Sequence, residues 1–147
     1  MREILFRGQT RRYGEKVRMG DGEKLPSNWV YGGIFPGTGD FSIIYGGNSE
    51  TLEITALDKY VVYSDTVGQY TGLTDKNGKR IFEGDVVRIT DRFLKALDWT
   101  VEYRNYGFFV KHPLCDFWWS ISELDGYTLE VIDNIHDNPE LIGGGHA

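Results

Sequence analysis

The chain has 147 residues, 40% hydrophobic and 14% aromatic, with a net charge of −6. That suits one compact domain or two small packed ones; it is too apolar for a disordered chain and argues against the basic face usual in nucleic-acid binders. The single cysteine, Cys115, excludes an intramolecular disulfide, and no apolar run is long enough for a transmembrane helix or a secretory signal. The expectation is a soluble cytoplasmic protein with no membrane partner.

In chain order, Arg2–Arg7 alternates Ile4 and Phe6 with polar neighbours and reads as a half-buried strand. The polar, Gly-rich stretch that follows, with Gly20-Asp21-Gly22 and Pro26, reads as a long connection or loose hairpin. Trp29–Phe35 is aromatic and β-branched, with Gly32-Gly33 suggesting a bulge. Phe41–Gly46, Leu52–Leu57 and Lys59–Ser64 are further short strands.

The stretch Gly68–Val87, GQYTGLTDKNGKRIFEGDVV, is rich in turn signals. Asn77-Gly78 favours a two-residue type I′ turn, and Asp75 can close a side-chain turn onto the backbone two residues on. Residues 73–83 then form a solvated hairpin with Leu73 and Phe82 facing a common core. Gly84-Asp85 makes the corner before a strand at Asp85–Thr90, a step seen at the start of SH3-like barrels. A calcium loop starting at Asp75 fails because its sixth residue is Arg80 and its twelfth Val86. A phosphate loop fails because Arg80 follows Lys79.

Arg92–Asp98 reads as a single helical turn or an irregular loop, and Trp99–His112 as a hairpin turning at Asn105-Tyr106-Gly107. Trp118–Gly126 should contain a short helical turn capped by Ser120 or Ser122 and stopped by Gly126. Tyr127–Ile135 is the last strand, before a Pro-marked turn and tail. No helical pattern reaches a dozen residues, so the fold class is mostly β. The expected parts are an irregular sheet over 1–65, with its long Gly-rich loop, and a small SH3-like barrel over 66–147.

Charge is uneven. Residues 1–24 hold seven Lys and Arg against four acids, whereas 121–147 hold six acids and no Lys or Arg. These ends could be two solvated surfaces or could pair, within a chain or between subunits. No metal-ligand spacing links His112, His136 and His146; Asp133, His136 and Asp137 form a small carboxylate–imidazole cluster best read as an exposed turn. Cys115 lacks a positioned base and reads as a buried small hydrophobe. In a strand, one of Trp118 and Trp119 faces the core and the other outward, where it would serve a subunit contact or stack on a ligand.

Two segments, Thr66–Val87 and Glu130–Ile142, closely resemble the hallmark segments of the YopX-like family, encoded by phages and prophages mainly of Gram-positive bacteria. The opening Arg2–Gln9 is similar to that family's start, with Gln9 replacing an aromatic. The resemblance implies a β-rich phage accessory protein of uncharacterised function in the host cytoplasm. It carries over no catalytic residues, cofactor or metal.

The leading functional expectation is a non-enzymatic, homo-oligomeric binding or assembly protein acting on a host or phage protein. Its interaction candidates are Arg7, Arg11, Arg12, Tyr106, Trp118 and Trp119. The alternative is nucleic-acid binding through the barrel and the basic loop (Arg7, Arg11, Arg12, Lys16, Arg18). A metal-dependent hydrolase built on Asp133, His136 and Asp137 is the lesser alternative.

Overall fold

The computed structural model describes residues 3–11, 29–37, 39–47 and 58–138. The expected strand Leu52–Leu57, the Gly20–Gly22 hairpin and the C-terminal tail lie outside these residues. The described residues form eleven strands and two short 3-10 turns, so the chain is mostly β. It divides into two compact units, Met1–Gln69 and Tyr70–Ala147.

In the first unit β1 (Phe6–Gln9), β2 (Trp29–Phe35), β3 (Phe41–Gly47) and β4 (Asp58–Tyr63) form an antiparallel sheet in the order β4-β3-β2-β1. The first strand falls later than Arg2–Arg7 because it must pair along Phe6↔Gly32 to Gln9↔Trp29. Its Gly8 is required by packing: a Cβ there would lie 2.9 Å from Val62 Cγ2. Val30, Ile44 and Val62 make the small core, flanked by Ile34, Tyr60 and Val67. The start of β5 (Gly68–Thr74) pairs with β1 through Arg7↔Gly68, and the strand runs on across the division.

In the second unit the rest of β5 pairs with β6 (Arg80–Phe82). A five-stranded antiparallel sheet follows, built from β7 (Asp85–Thr90), β8 (Ala96–Arg104), β9 (Gly107–Lys111), β10 (Trp118–Ser120) and β11 (Thr128–Asn134). Its order is β10-β9-β8-β7-β11. No ladder joins β10 to β11 among the described residues, so this sheet is open rather than closed into a barrel. One face carries the core: Val87, Ile89, Trp99, Val101 and Val110, packed with Ile81, Leu124, Trp119 and Val131. Strand alternation puts these side chains on one side and Arg88, Thr100, Glu102, Lys111 and Trp118 on the other.

Several local expectations change. The 75–79 loop is not a type I′ turn, because Asn77 is not left-handed and only Gly78 is (φ +80°). The Gly78 N–H donates to Asp75 O at 3.0 Å and the Asp75 N–H to Lys79 O at 2.8 Å, the pattern of a tight turn followed by a left-handed residue. The two-residue left-handed turn occurs instead at Asn105-Tyr106 (φ 51° and 65°). Arg92–Asp98 is neither helical nor wholly irregular, since β8 already begins at Ala96. Leu73 is exposed, although Phe82 is fully buried as expected. The 3-10 turn at Ile121–Glu123 follows Ser120 without a side-chain cap bond.

Candidate functional site

The site most expected to carry family character is the Gly68–Val87 stretch, and its geometry is structural. The Asp75 carboxylate is buried and accepts three backbone N–H groups: Oδ1 from Asn77 and Lys79, both at 2.9 Å, and Oδ2 from Val131 at 2.9 Å. Burial alone would raise its pKa, but the three N–H donors and the Lys79 charge together hold it below the ordinary carboxylate value. The Lys76 N–H donates to Leu129 O at 2.9 Å, and Lys76 Nζ lies 3.6 Å from Glu130 Oε2. The hairpin tip thus covers the outer edge of β11. Nearby, left-handed Gly84 (φ +88°) accepts the Ile135 N–H through its carbonyl at 2.9 Å, and Asp85 Oδ2 accepts the Phe82 N–H at 2.8 Å. The two segments that resemble the YopX-like family therefore lock onto one another.

Residues 40–143 match the family model described as YopX protein. The chain belongs to the YopX family. A solved structure, that of protein EF1440 from Enterococcus faecalis, is similar at 23% identity, covering 95% of this chain and 98% of that one with a TM-score of 0.49. No curated protein matches the chain.

With the family signature occupied in holding the fold, exposed features are the place to look for function. On the core side of the β7–β8 ladder, a hollow of about 610 Å³ is lined by Ile89, Leu97, Trp99, Trp119 and Tyr127, with Asp91 and Lys95 at its polar end. The volume and the few polar groups match ordinary binding clefts, about 300–1,000 Å³. Its aromatic wall is tightly built: Trp119 lies 6.0 Å from Trp99 and 5.1 Å from Tyr127, ring centre to ring centre.

The turn beside this hollow repeats the Asp75 device. Asp91 Oδ1 accepts the N–H groups of Phe93 at 2.8 Å and Lys95 at 3.0 Å, and the Leu94 N–H donates to Asp91 O. Here the left-handed position, glycine in the first loop, is Leu94 (φ 63°). A left-handed leucine is strained, and this one is 85% exposed beside Phe93, itself 75% exposed. Sequence reading missed this surface because RFLKALD resembles a helical turn. The signal was the Asp-x-x-x-Lys spacing shared with Asp75–Lys79.

The anticipated interaction residues scatter. Trp119 packs on the core, whereas Trp118 lies on the opposite face, its Nε1–H donating to Glu102 Oε2 at 2.8 Å and its ring beneath Arg104 (3.8 Å) and Lys111 (5.4 Å). Tyr106 is 97% exposed at the other end of β8. Arg7 is buried with its guanidinium 4.4 Å over Trp29, and Arg11 is partly buried. Arg12, Lys16, Arg18 and His146 lie outside the described residues.

Around His136 the polar groups shape a turn. Asn134 Oδ1 accepts the His136 and Asp137 N–H groups, Asn134 Nδ2 donates to Asp137 Oδ2, and Asn138 Nδ2 donates to Asp133 Oδ2. Among the described residues no three His, Cys, Asp or Glu side chains converge as a metal site. Cys115 is exposed, not buried. The short loop closed by the His112 N–H to Phe117 O bond, with the Leu114 N–H donating to His112 Nδ1, turns it outward. Among the described residues no helix is long and apolar enough to cross a membrane.

Proposed function

We propose that this YopX-family chain is a non-enzymatic, oligomeric binding protein that engages a phage or host protein in the bacterial cytoplasm. The observation that carries the reading is the Phe93-Leu94 tip. An exposed apolar pair held in a strained turn, next to an aromatic hollow, costs folding stability and gives nothing back within the fold. Such features persist at contact surfaces, where aromatic and large aliphatic anchors supply most of the binding energy.

Light scattering across a concentration series up to about 100 μM, on the full chain and on a Phe93→Ser/Leu94→Gly variant, tests this. The wild type is expected to assemble and the variant to remain monomeric. A monomeric wild type overturns the oligomeric reading, and a variant that assembles equally overturns the Phe93-Leu94 tip as the contact that carries it. A salt-dependent complex with DNA or RNA formed equally by both proteins would favour the basic-loop alternative instead.

A further inference from the structure

The Phe93-Leu94 tip and the aromatic hollow belong to one surface of one chain. The tip springs from the turn whose ends, Asp91 and Lys95, line the hollow, and Leu97, Trp119 and Tyr127 are among its apolar walls. Phe93 and Leu94 are not part of that lining and stand 75% and 85% exposed, so the tip leaves its own hollow unfilled. The chain thus carries an apolar knob and an apolar recess side by side, and neither satisfies the other.

The charges around them are matched in the same way. Asp91 engages Oδ1 with the Phe93 and Lys95 N–H groups. Among the described residues its Oδ2 has no partner, nor do the side-chain charges of Arg92 and Lys95, which flank the tip. The turn closed by the Tyr127 N–H to Leu124 O bond brings Glu123 and Asp125 to the hollow's rim. Both are exposed, and neither has a side-chain partner among the described residues. The flanks of the tip are basic, and the rim at Tyr127 is acidic.

We propose that the hollow receives the Phe93-Leu94 tip of a second copy of this chain, across a two-fold axis that seats the first copy's tip in the second copy's hollow. The inference rests on the oligomeric reading above and names the surface and its occupant. A knob and a recess on one chain are what an isologous contact requires, because one rotation satisfies both at once. Two Asp91–Lys95 turns set antiparallel across that axis bring each Asp91 Oδ2 opposite the other copy's Lys95. The lysine at the hollow's polar end then meets a carboxylate, and the basic Arg92 flank meets the acidic rim at Glu123 and Asp125. A different protein would have to bring an apolar knob with basic flanks, and this chain already carries one. Leu97, 44% exposed at the hollow, is covered by the incoming tip.

Light scattering on a pair of variants tests this. Phe93→Ser/Leu94→Gly removes the tip and keeps the hollow. Leu97→Glu, a change at an exposed strand position, puts a carboxylate in the hollow and keeps the tip. Each alone is expected to have a dimer dissociation constant at least about tenfold weaker than wild type. Mixed in equal amounts, they are expected to recover dimer, because one intact tip and one intact hollow meet in the mixed pair. Leu97→Glu dimerising as tightly as wild type, or no recovery in the mixture up to about 1 mM, overturns the proposal. The Trp119 indole N–H signal of the wild-type chain should also shift between dilute and concentrated samples, and that of the tip variant should not. An unchanged wild-type signal overturns the proposal even if Leu97→Glu fails to fold. If the tip variant alone loses assembly, the oligomeric reading stands and only the hollow is excluded as the tip's seat.

Discussion

Asp75 and Val131 are 56 residues apart, yet the Asp75 Oδ2 accepts the Val131 N–H at 2.9 Å. This bond falls where the β11–β7 ladder shifts register between Val131 and Asp133. One carboxylate thus shapes its own loop through Asn77 and Lys79 and fixes the hairpin to the edge of the sheet. Replacing Asp75 by Ala strands three backbone donors, two local and one on β11, and should lower unfolding free energy by about 2–3 kcal/mol. Asn should be nearly as costly, because one of its two polar atoms becomes a donor facing a donor. Chemical denaturation of the two variants checks both values.

The same group sets an acid limit. Its folded pKa lies below the ordinary carboxylate value, so the unfolded chain binds the proton more readily. The contribution is fully present above the unfolded pKa of about 3.9 and is lost as pH falls through the lower folded value. Stability should be insensitive to this group from pH 7 to about 5 and decline below about pH 4. The Asp75→Ala variant should show a shallower decline over that window in denaturation series.

Leu94 and Gly78 occupy equivalent left-handed positions in two loops built on the same aspartate device. Leu94→Gly removes the conformational strain and should leave stability unchanged or raise it by up to about 1 kcal/mol, while weakening assembly. Thermal melts read beside light scattering separate the two effects. A large loss of stability would show that Leu94 packs within the fold and does not serve a partner.

Gly84 and Gly78 both have positive φ, but they differ in surroundings. A Cβ at Gly84 would lie 3.1 Å from His136 Nε2, whereas one at Gly78 meets nothing within 4 Å. Gly78→Ala should cost about 1 kcal/mol from backbone conformation alone. Gly84→Ala should cost about 2–3 kcal/mol, with the excess arising from the clash. Combining Gly84→Ala with His136→Ala should reduce that excess in a double-mutant cycle.

Local chemistry made much of the fold legible. The runs Trp29–Phe35 and Asp85–Thr90 become strands with those bounds, because β-branched and aromatic side chains alternate there and turn residues stop them. The Asp75 side-chain turn was also readable, since its Asn77 bond spans only two residues. The Val131 bond was not, because no spacing in the sequence announces a partner on a distant strand. Residues 92–95 misled for a different reason. Leucine has no preference for a left-handed backbone, and only the ladder between Thr90 and Ala96 forces Leu94 into it.

The candidate site was less legible than the fold. Trp118 and Trp119 were rightly set on opposite faces by strand alternation, but alternation could not say that Trp118 would be engaged by Glu102, Arg104 and Lys111. Nor could it show that Trp119 would meet Trp99 and Tyr127 around a hollow. The sequence by itself determined a mostly β chain, the places of most of its turns and its family, because those depend on neighbours a few residues apart. The tertiary structure alone decided which edge the hairpin tip covers and where the aromatics converge. Those outcomes depend on strand order and register, and each is fixed by hydrogen bonds and packing between residues far apart in the chain.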